Sequence, residues 1–515
     1  MQLFSEGVNP DAIAVRDPDT QLTWRELDDT LVRFVAGLNR FDLGAARRIS
    51  VFAENAVETG VANLGGLVAG ASVVPVNFHL TAEEAAYILQ DSNSKVLFLG
   101  PETAARGLEA AALAGIDQVV IWQVGDDVLQ SQTQPGKQSP QGWRQWLAQQ
   151  SADSLDLSRK PLPNLLYTSG TTGRPKGTEL PPTMFAGGEN IAEHLQALAQ
   201  SPLAPLGPHL IVGPMYHTGP LSGARLLIAG TPSVILKRFD AQRTLAAIEE
   251  FGIATSVMVP THFVRLLALD ESVRASFDLS SLARIAHTGA KCPVEVKRAM
   301  IEWWGPVLTE AYGASEVGTT CAITSEEWLE NPGSVGQPVE PFSVLVLDDD
   351  DNEVPANTEG RLYFVDATGR GVVYHNDAEK SAAAHIRPGV FTLGEIGYVN
   401  DAGFVYITDR FSDMVVSGGV NLYPAEAEQV LIEHDDVLDV ACIGVPHAEM
   451  GEELRALVIL KSGRSLAADD LISWCRERLS SYKCPRSLSF VDDLGRNTMG
   501  KINKRKLRAP YWEGA

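Results

Sequence analysis

Between Leu165 and Gly177 the chain reads Leu-Leu-Tyr-Thr-Ser-Gly-Thr-Thr-Gly-Arg-Pro-Lys-Gly, an apolar run passing into hydroxyls, glycines and a lysine. Glycines let backbone N–H groups close on an anion, hydroxyls add donors, and Lys176 supplies a full positive charge. Polyphosphate binding is the chemistry these side chains suit, with Thr168, Ser169, Gly170, Thr171, Thr172, Gly173 and Lys176 as candidates. Lys176 follows Pro175, so the spacing G-x-x-x-x-G-K-[ST] is not met and this is not the P-loop of most ATPases. A plain surface loop is the alternative for any Gly/Ser/Thr/Pro cluster, and the density of this one weighs against it.

A second stretch, Glu310-Ala311-Tyr312-Gly313-Ala314-Ser315-Glu316, joins a tyrosine to a glycine and ends in a carboxylate. A tyrosine ring can lie on a purine while bare backbone approaches closely. Mg²⁺ takes one or two carboxylates together with phosphate oxygens, which suits Glu316. Standing alone, the stretch would read as a buried tyrosine beside a surface glutamate.

The elements around these stretches alternate between helical and extended signals. Thr23 to Glu26 and Thr81 to Glu84 have capping-box spacing, predicting helices to about Leu38 and Asp91. Segments 48–52, 73–76 and 95–99 read as strands, and 61–76 as a buried helix followed by a strand. Such alternation predicts a parallel sheet covered by helices. Residues 123–160, rich in Gln, Ser, Pro and Asp, read as a surface excursion. Further apolar strands at 210–214, 251–260 and 283–288 end in turn chemistry. The loops at 167–177, 215–219, 288–291 and 310–316 would then converge on one rim, at the carboxyl ends of the strands. Residues 336–409 carry short strands and frequent turns, predicting an antiparallel subdomain in which Asp348–Asp351 is an exposed turn. The remaining hundred or so residues predict a small α/β domain with helices at 424–433 and 467–479 and strands at 440–445 and 454–460. The expected fold is therefore α/β, with a large N-terminal domain of parallel and mixed sheets.

A chain of 515 residues implies more than one domain. A formal charge of −23 argues against nucleic acid as a partner and disfavours anionic membranes. Five scattered cysteines without a C-x-x-C predict free thiols in a reducing cytoplasm. No export signal or transmembrane segment is expected, and a homodimer is left open.

Residue for residue, 165–177 resembles the phosphate-binding signature of the adenylate-forming superfamily, which holds acyl-CoA synthetases, peptide-synthetase adenylation domains and firefly luciferase. Tyr312 to Glu316 resembles its adenine-and-magnesium motif, Tyr-Gly-x-[ST]-Glu, at every specified position. The resemblance implies ATP contacts from Gly289, Ala290, Lys291 and 310–316, and ribose contacts from Glu395 and Arg410. Glu395 stands where the family usually has aspartate, and Lys291 where it usually has proline. Metal contacts would come from Thr171 and Glu316. Ser412, at a position commonly Asp or Lys, would be the hinge between residues 1–409 and a small mobile domain, 414–515, with the hinge spanning 410–413. In that small domain Ser417, Gly418 and Gly419 would run along the pantetheine arm of CoA. Lys501 aligns with the lysine of adenylation, where an ammonium between a carboxylate and an α-phosphate offsets their repulsion. His217 matches a position lining the acyl and thiol passage, though a lone histidine is more often structural.

What the resemblance implies is a two-step ligase using ATP, Mg²⁺ and CoA. The stretches 287–297 and 301–306 look like those of fatty-acid and steroid-side-chain CoA ligases, implying an apolar acid. Phe239-Asp240 gives only weak support to an ammonium-binding acid for amino-acid substrates. The alternatives are a ligase loading a carrier protein and a nucleotide-binding pseudoenzyme.

Overall fold

The computed structural model describes residues 3–4, 7–123, 140–152, 155–168, 175–410, 414–495 and 502–513, with only the backbone described at 409–410. Both capping boxes are present. Thr23 and Glu26 exchange hydrogen bonds at the start of helix Trp24–Leu38, as do Thr81 and Glu84 at the start of Ala82–Asp91. The first helix buries Leu27, Leu31, Phe34 and Leu38, spaced as one apolar stripe. Helix Val57–Val68 has no polar face left for water: every residue is buried, between Trp24–Leu38 and Thr218–Arg225.

Strands Arg48–Phe52, Ser72–Val76, Val96–Leu99, Gln118–Ile121 and Gln141–Gly142 form one all-parallel sheet. Its central strands are buried on both faces, which is why they read as continuous apolar runs. A nine-stranded sheet lies beside it, parallel through His209–Ile211, Thr255–Met258 and Arg284–His287 and antiparallel at its ends. Phe251 closes a helix, with Gly252 as its left-handed cap, so the strand expected from 251 begins at Thr255. Residues 310–314, expected in a loop, belong to strand Leu308–Ala314.

The excursion expected over 123–160 is corrected within its described part. Trp143 and Trp146 are buried in the first core, with the Trp146 ring edge-on to Phe34 at 5.4 Å. Two indoles in a polar stretch anchor it, and their apolar area outweighs the neighbouring glutamines.

From Phe342–Leu347 to Val405–Arg410 the strands form an antiparallel sheet. Asp348 there closes its own turn by accepting from the Asp350 and Asn352 amides. Strands Val415–Ser417, Val420–Leu422, Val437–His447, Gly451–Leu460 and Ser487–Phe490 form a separate sheet, covered by helices Pro424–Ile432 and Ala468–Arg476 around their own core. We call this the small lobe. All five cysteines are free and buried. Among the described residues no helix is long and apolar enough to cross a membrane.

Candidate active site between the sheets and the small lobe

Carboxyl ends of the parallel strands, the antiparallel sheet and the small lobe enclose one cavity of about 1680 Å³. Its wall includes Thr168, His217, Gly289, Ala290, Lys291, Glu395, Gly418, Gly419 and the whole of 310–316. Described residues from each of the four segments expected to converge thus line one cavity. Ser169, Gly170, Thr171, Thr172, Gly173, Ser412 and Lys501 lie outside the described residues.

The described ends of the phosphate-type stretch are paired antiparallel, Leu165–Thr168 with Lys176–Glu179, so that Thr168 stands opposite Lys176. Thr168 Oγ1 donates to Glu316 Oε1 at 3.1 Å, tying the first motif to the second. Glu316 is only 8% exposed, and burial pushes its carboxyl above the usual range. Arg370 Nη1 donates to the Glu316 carbonyl at 3.2 Å and fixes its backbone. Lys176 does not line the cavity. Its ammonium pairs with Asp377 at 3.5 Å and lies 5.9 Å from the centre of the Tyr374 ring. Lys380 Nζ is 5.0 Å from the same ring, and burial together with Lys176 pushes its ammonium down to about 7. Two cations crowded around one ring favour an anion nearby.

Next to this, strand Leu308–Ala314 pairs with Gly318–Thr324, whose extra residue Thr320 shifts the register between Tyr312 and Gly313. A side chain at 313 would lie 1.9 Å from the Gly318 carbonyl oxygen, so the backbones themselves demand glycine there. Glu310 lines the cavity, yet its carboxylate is committed elsewhere: Lys297 Nζ donates to it at 2.6 Å, and Lys297 is fully buried. Burial pushes Lys297 down and Glu310 up, each against the pull of its partner. Across the cavity, buried Glu395 stands opposite Arg410 in the antiparallel register.

On the remaining side, Asn55 pins the segment leading to His217. Its Nδ2 donates to the Gly213 and Leu236 carbonyls at 2.9 and 3.0 Å, and its Oδ1 accepts from the Met215 amide at 2.8 Å. His217 occupies the N-cap position of helix Thr218–Arg225, and burial with His79 nearby pushes its pKa to about 4. The imidazole is therefore neutral at physiological pH. Asp240 caps helix Ala241–Phe251 by accepting from the Arg243 amide at 2.8 Å, and Phe239 stacks on His262 at 4.1 Å. That pair is accounted for without an amino-acid substrate.

Gly418 and Gly419 form the two-residue turn between Val415–Ser417 and Val420–Leu422, both with positive φ. A Cβ on Gly419 would lie 2.8 Å from Val259 Cγ1, so this small-lobe turn presses on the large lobe at the cavity wall. Ser417 is buried, pairs with Gly451 and does not line the cavity. Sequence reasoning missed Asn55, Lys297, Arg370 and Lys380. Of these only Asn55 left a signal, a polar residue just beyond a strand of apolar neighbours.

A family model described as "AMP-binding enzyme" matches residues 5–369, and one described as "AMP-binding enzyme C-terminal domain" matches 426–501. The chain belongs to this adenylate-forming family of enzymes. Among its relatives is a 3-[(3aS,4S,7aS)-7a-methyl-1,5-dioxo-octahydro-1H-inden-4-yl]propanoyl:CoA ligase of Rhodococcus jostii, 33% identical over 96% of this chain and 95% of the relative. A protein of the same name from Mycobacterium tuberculosis is 34% identical over 97% and 96%. The fold matches that of the amide bond synthetase McbA from Marinactinospora thermotolerans, with a TM-score of 0.82, 24% identity and 98% of each chain covered.

Proposed function

We propose that the protein is an acyl-CoA synthetase for an apolar carboxylic acid, acting in the cytoplasm. The acid attacks the α-phosphate of ATP to give acyl-AMP and pyrophosphate, and the CoA thiol then displaces AMP. A carboxylate is a poor electrophile, and AMP gives it a good leaving group. One observation carries the reading: a single cavity is walled by Thr168, Tyr312–Glu316 and His217 from the large lobe and by Gly418-Gly419 from the small one.

Thr168 to Lys176 would hold the phosphates, with the Lys176–Lys380 pair adding positive charge behind them. Residues 289–291 and 310–315 would hold adenine, and Glu395 with Arg410 the ribose. Mg²⁺ would be held by Glu316 and Thr171 with phosphate oxygens, and it would neutralise charge developing on the phosphates. Glu316 suits this: a single carboxylate whose charged form burial disfavours gains from an adjacent cation. Residues 1–409 would form the large domain and 414–515 the small one, turning about 410–413 so that Lys501 serves only adenylation.

For the acid, the cavity wall that carries His217 also carries Met184, Val212, Val257, Met258 and Val259. Those apolar side chains, with the names of the two relatives, favour an alicyclic propanoate. The test is a pyrophosphate-release screen over fatty, alicyclic, aromatic and steroid acids with CoA present. Acid-dependent pyrophosphate and acyl-CoA are expected, the bicyclic propanoates giving the highest kcat/KM. Lys501→Ala should abolish pyrophosphate release while sparing CoA attack on supplied acyl-AMP. No acid-dependent AMP formation across the panel would overturn the reading.

A further inference from the structure

The small lobe is tied to the large one at a second place, away from its glycine turn. The short helical turn Ser481–Lys483 and the preceding Ser480 face the N-terminus of helix Ala82–Asp91. Lys483 Nζ donates to Glu84 Oε1 at 2.8 Å and to Glu426 Oε2 at 2.7 Å. The Lys483 side chain is 5% exposed. Ser480 Oγ donates to the other oxygen of Glu84. Asn77 Nδ2 donates to the Tyr482 hydroxyl at 3.0 Å, and the Tyr482 ring packs on cores of both lobes. Asn77, Tyr482 and Lys483 also line the cavity, so this junction is part of its wall.

Three features separate this junction from an ordinary surface contact. The other cross-lobe ion pair among the described residues, Arg265–Glu449, is nearly half exposed on both sides, where such pairs contribute little. The groups at Glu84 are largely buried, and charge-assisted bonds there are stronger. Finally, the junction can open without stranding a charge. On separation Lys483 keeps Glu426, which lies on its own lobe, in helix Pro424–Ile432. Glu84 keeps the Thr81 amide, which donates to it at 2.9 Å in the capping box, and gains water. A buried ion pair that broke into two orphans would be costly, whereas this one divides into two satisfied halves.

We propose that Glu84 is a positioning residue for thiol transfer, its carboxylate latching Ser480 and Lys483 so that Gly418-Gly419 stay seated in the cavity wall, and releasing them for adenylation. This rests on the two-step reading above. Glu84 touches neither substrate nor reacting atoms. It acts by raising the fraction of molecules in which the small lobe sits as described.

The discriminating variant is Glu84→Gln, because glutamine at this helix position still completes a capping box but carries no charge for Lys483. The two half-reactions are measured separately: acid-dependent exchange of pyrophosphate into ATP, and single-turnover attack of CoA on preformed acyl-AMP. Thiol transfer should slow by about tenfold, the factor matching loss of one charge-assisted hydrogen bond. Exchange should be unchanged or faster, and the KM for ATP unchanged. Ser480→Ala should move both readouts in the same directions by a smaller factor, with its thermal midpoint confirming the fold. Equal loss of both half-reactions would mean a merely structural role, and no change in thiol transfer would mean no latch; either overturns the proposal. If the unaltered enzyme showed no exchange with any acid, the two-step reading would fail first, before the latch was tested.

Discussion

Lys297→Met tests whether the buried pair under the nucleotide wall is held together by mutual satisfaction. The ammonium is fully buried, 2.6 Å from Glu310 and 4.9 Å from the centre of the Trp328 ring. Methionine fills nearly the same volume and keeps a contact with the indole, so lost packing is small. What changes is Glu310, left without its donor inside the wall. Removing one partner of a buried pair typically costs about 3–5 kcal/mol. The orphaned carboxyl can escape by taking up a proton, and this gives the cost a pH signature. Its native pKa is raised above the unfolded one, so the penalty is absent below the unfolded value. Between the two it grows by about 1.4 kcal/mol per pH unit. Lys297→Met should therefore be least damaging near pH 5 and most damaging near pH 8.

The double variant Lys297→Met, Glu310→Gln removes the orphan and should recover at least about 2 kcal/mol of the loss, because burial already disfavours both charges. The assay is thermal unfolding followed by circular dichroism at several pH values. A chain with several cores need not unfold in one step, so the midpoint of the transition that loses the large-lobe signal is compared. A cost of this size lowers that midpoint by on the order of 10 °C. The reasoning is refuted if Lys297→Met melts within about 2 °C of the parent, or if the double variant is no better than the single one.

Gly419→Ala adds a Cβ at 2.8 Å from Val259 Cγ1 on a positive-φ backbone, so CoA attack on acyl-AMP should fall at least about tenfold with pyrophosphate exchange spared. Retained thiol transfer in single-turnover measurements would refute that. His209 is buried with its pKa pushed down to about 4, so its contribution to stability is complete above the ordinary histidine value and is lost as the pH falls. Acidifying from pH 7 to 5 should remove about 2 kcal/mol through this residue, and His209→Gln should flatten the fall seen in urea unfolding. Lys380, pushed down to about 7, should regain its proton beside an arriving polyphosphate. Lys380→Met should raise the KM for ATP several-fold, an effect that disappears in high salt if it is electrostatic.

Much of this was legible because it is local. Thr23 and Thr81 announced their helices through residues three positions away, and a capping box needs nothing further. The double-buried strands announced themselves by unbroken apolar runs. What stayed hidden depends on partners remote in sequence. Lys297 sits mid-helix, where a lysine reads as solvent-facing, and nothing nearby reveals that it turns inward to Glu310. Glu84 and Lys483 are 399 positions apart. The carboxylate-ending stretch from 310 reads as a loop in the sequence, yet strand Leu308–Ala314 runs through it. Gly313 is there because the Gly318 carbonyl packs against it, and the strand continues through it. Trp143 and Trp146 were masked by the glutamines around them.

The glycine pair of the small lobe shows why motif and fold must be argued together. A two-residue turn with positive φ at both positions favours glycine at the second but takes asparagine or aspartate at the first. Turn geometry alone therefore does not explain a glycine at both 418 and 419. The surroundings do: a Cβ at 418 would meet Met450 Cε at 2.3 Å, and one at 419 would meet Val259, itself a cavity residue of the large lobe. The turn is bare because it is a docking edge, thin enough to seat against Val259 and Gly289. Its seating is also what a latch at Glu84 would control, since the glycine turn and the Ser480–Lys483 segment both adjoin strands of one sheet in the small lobe. Two junctions on one lobe fix its orientation where either alone would leave it free to pivot.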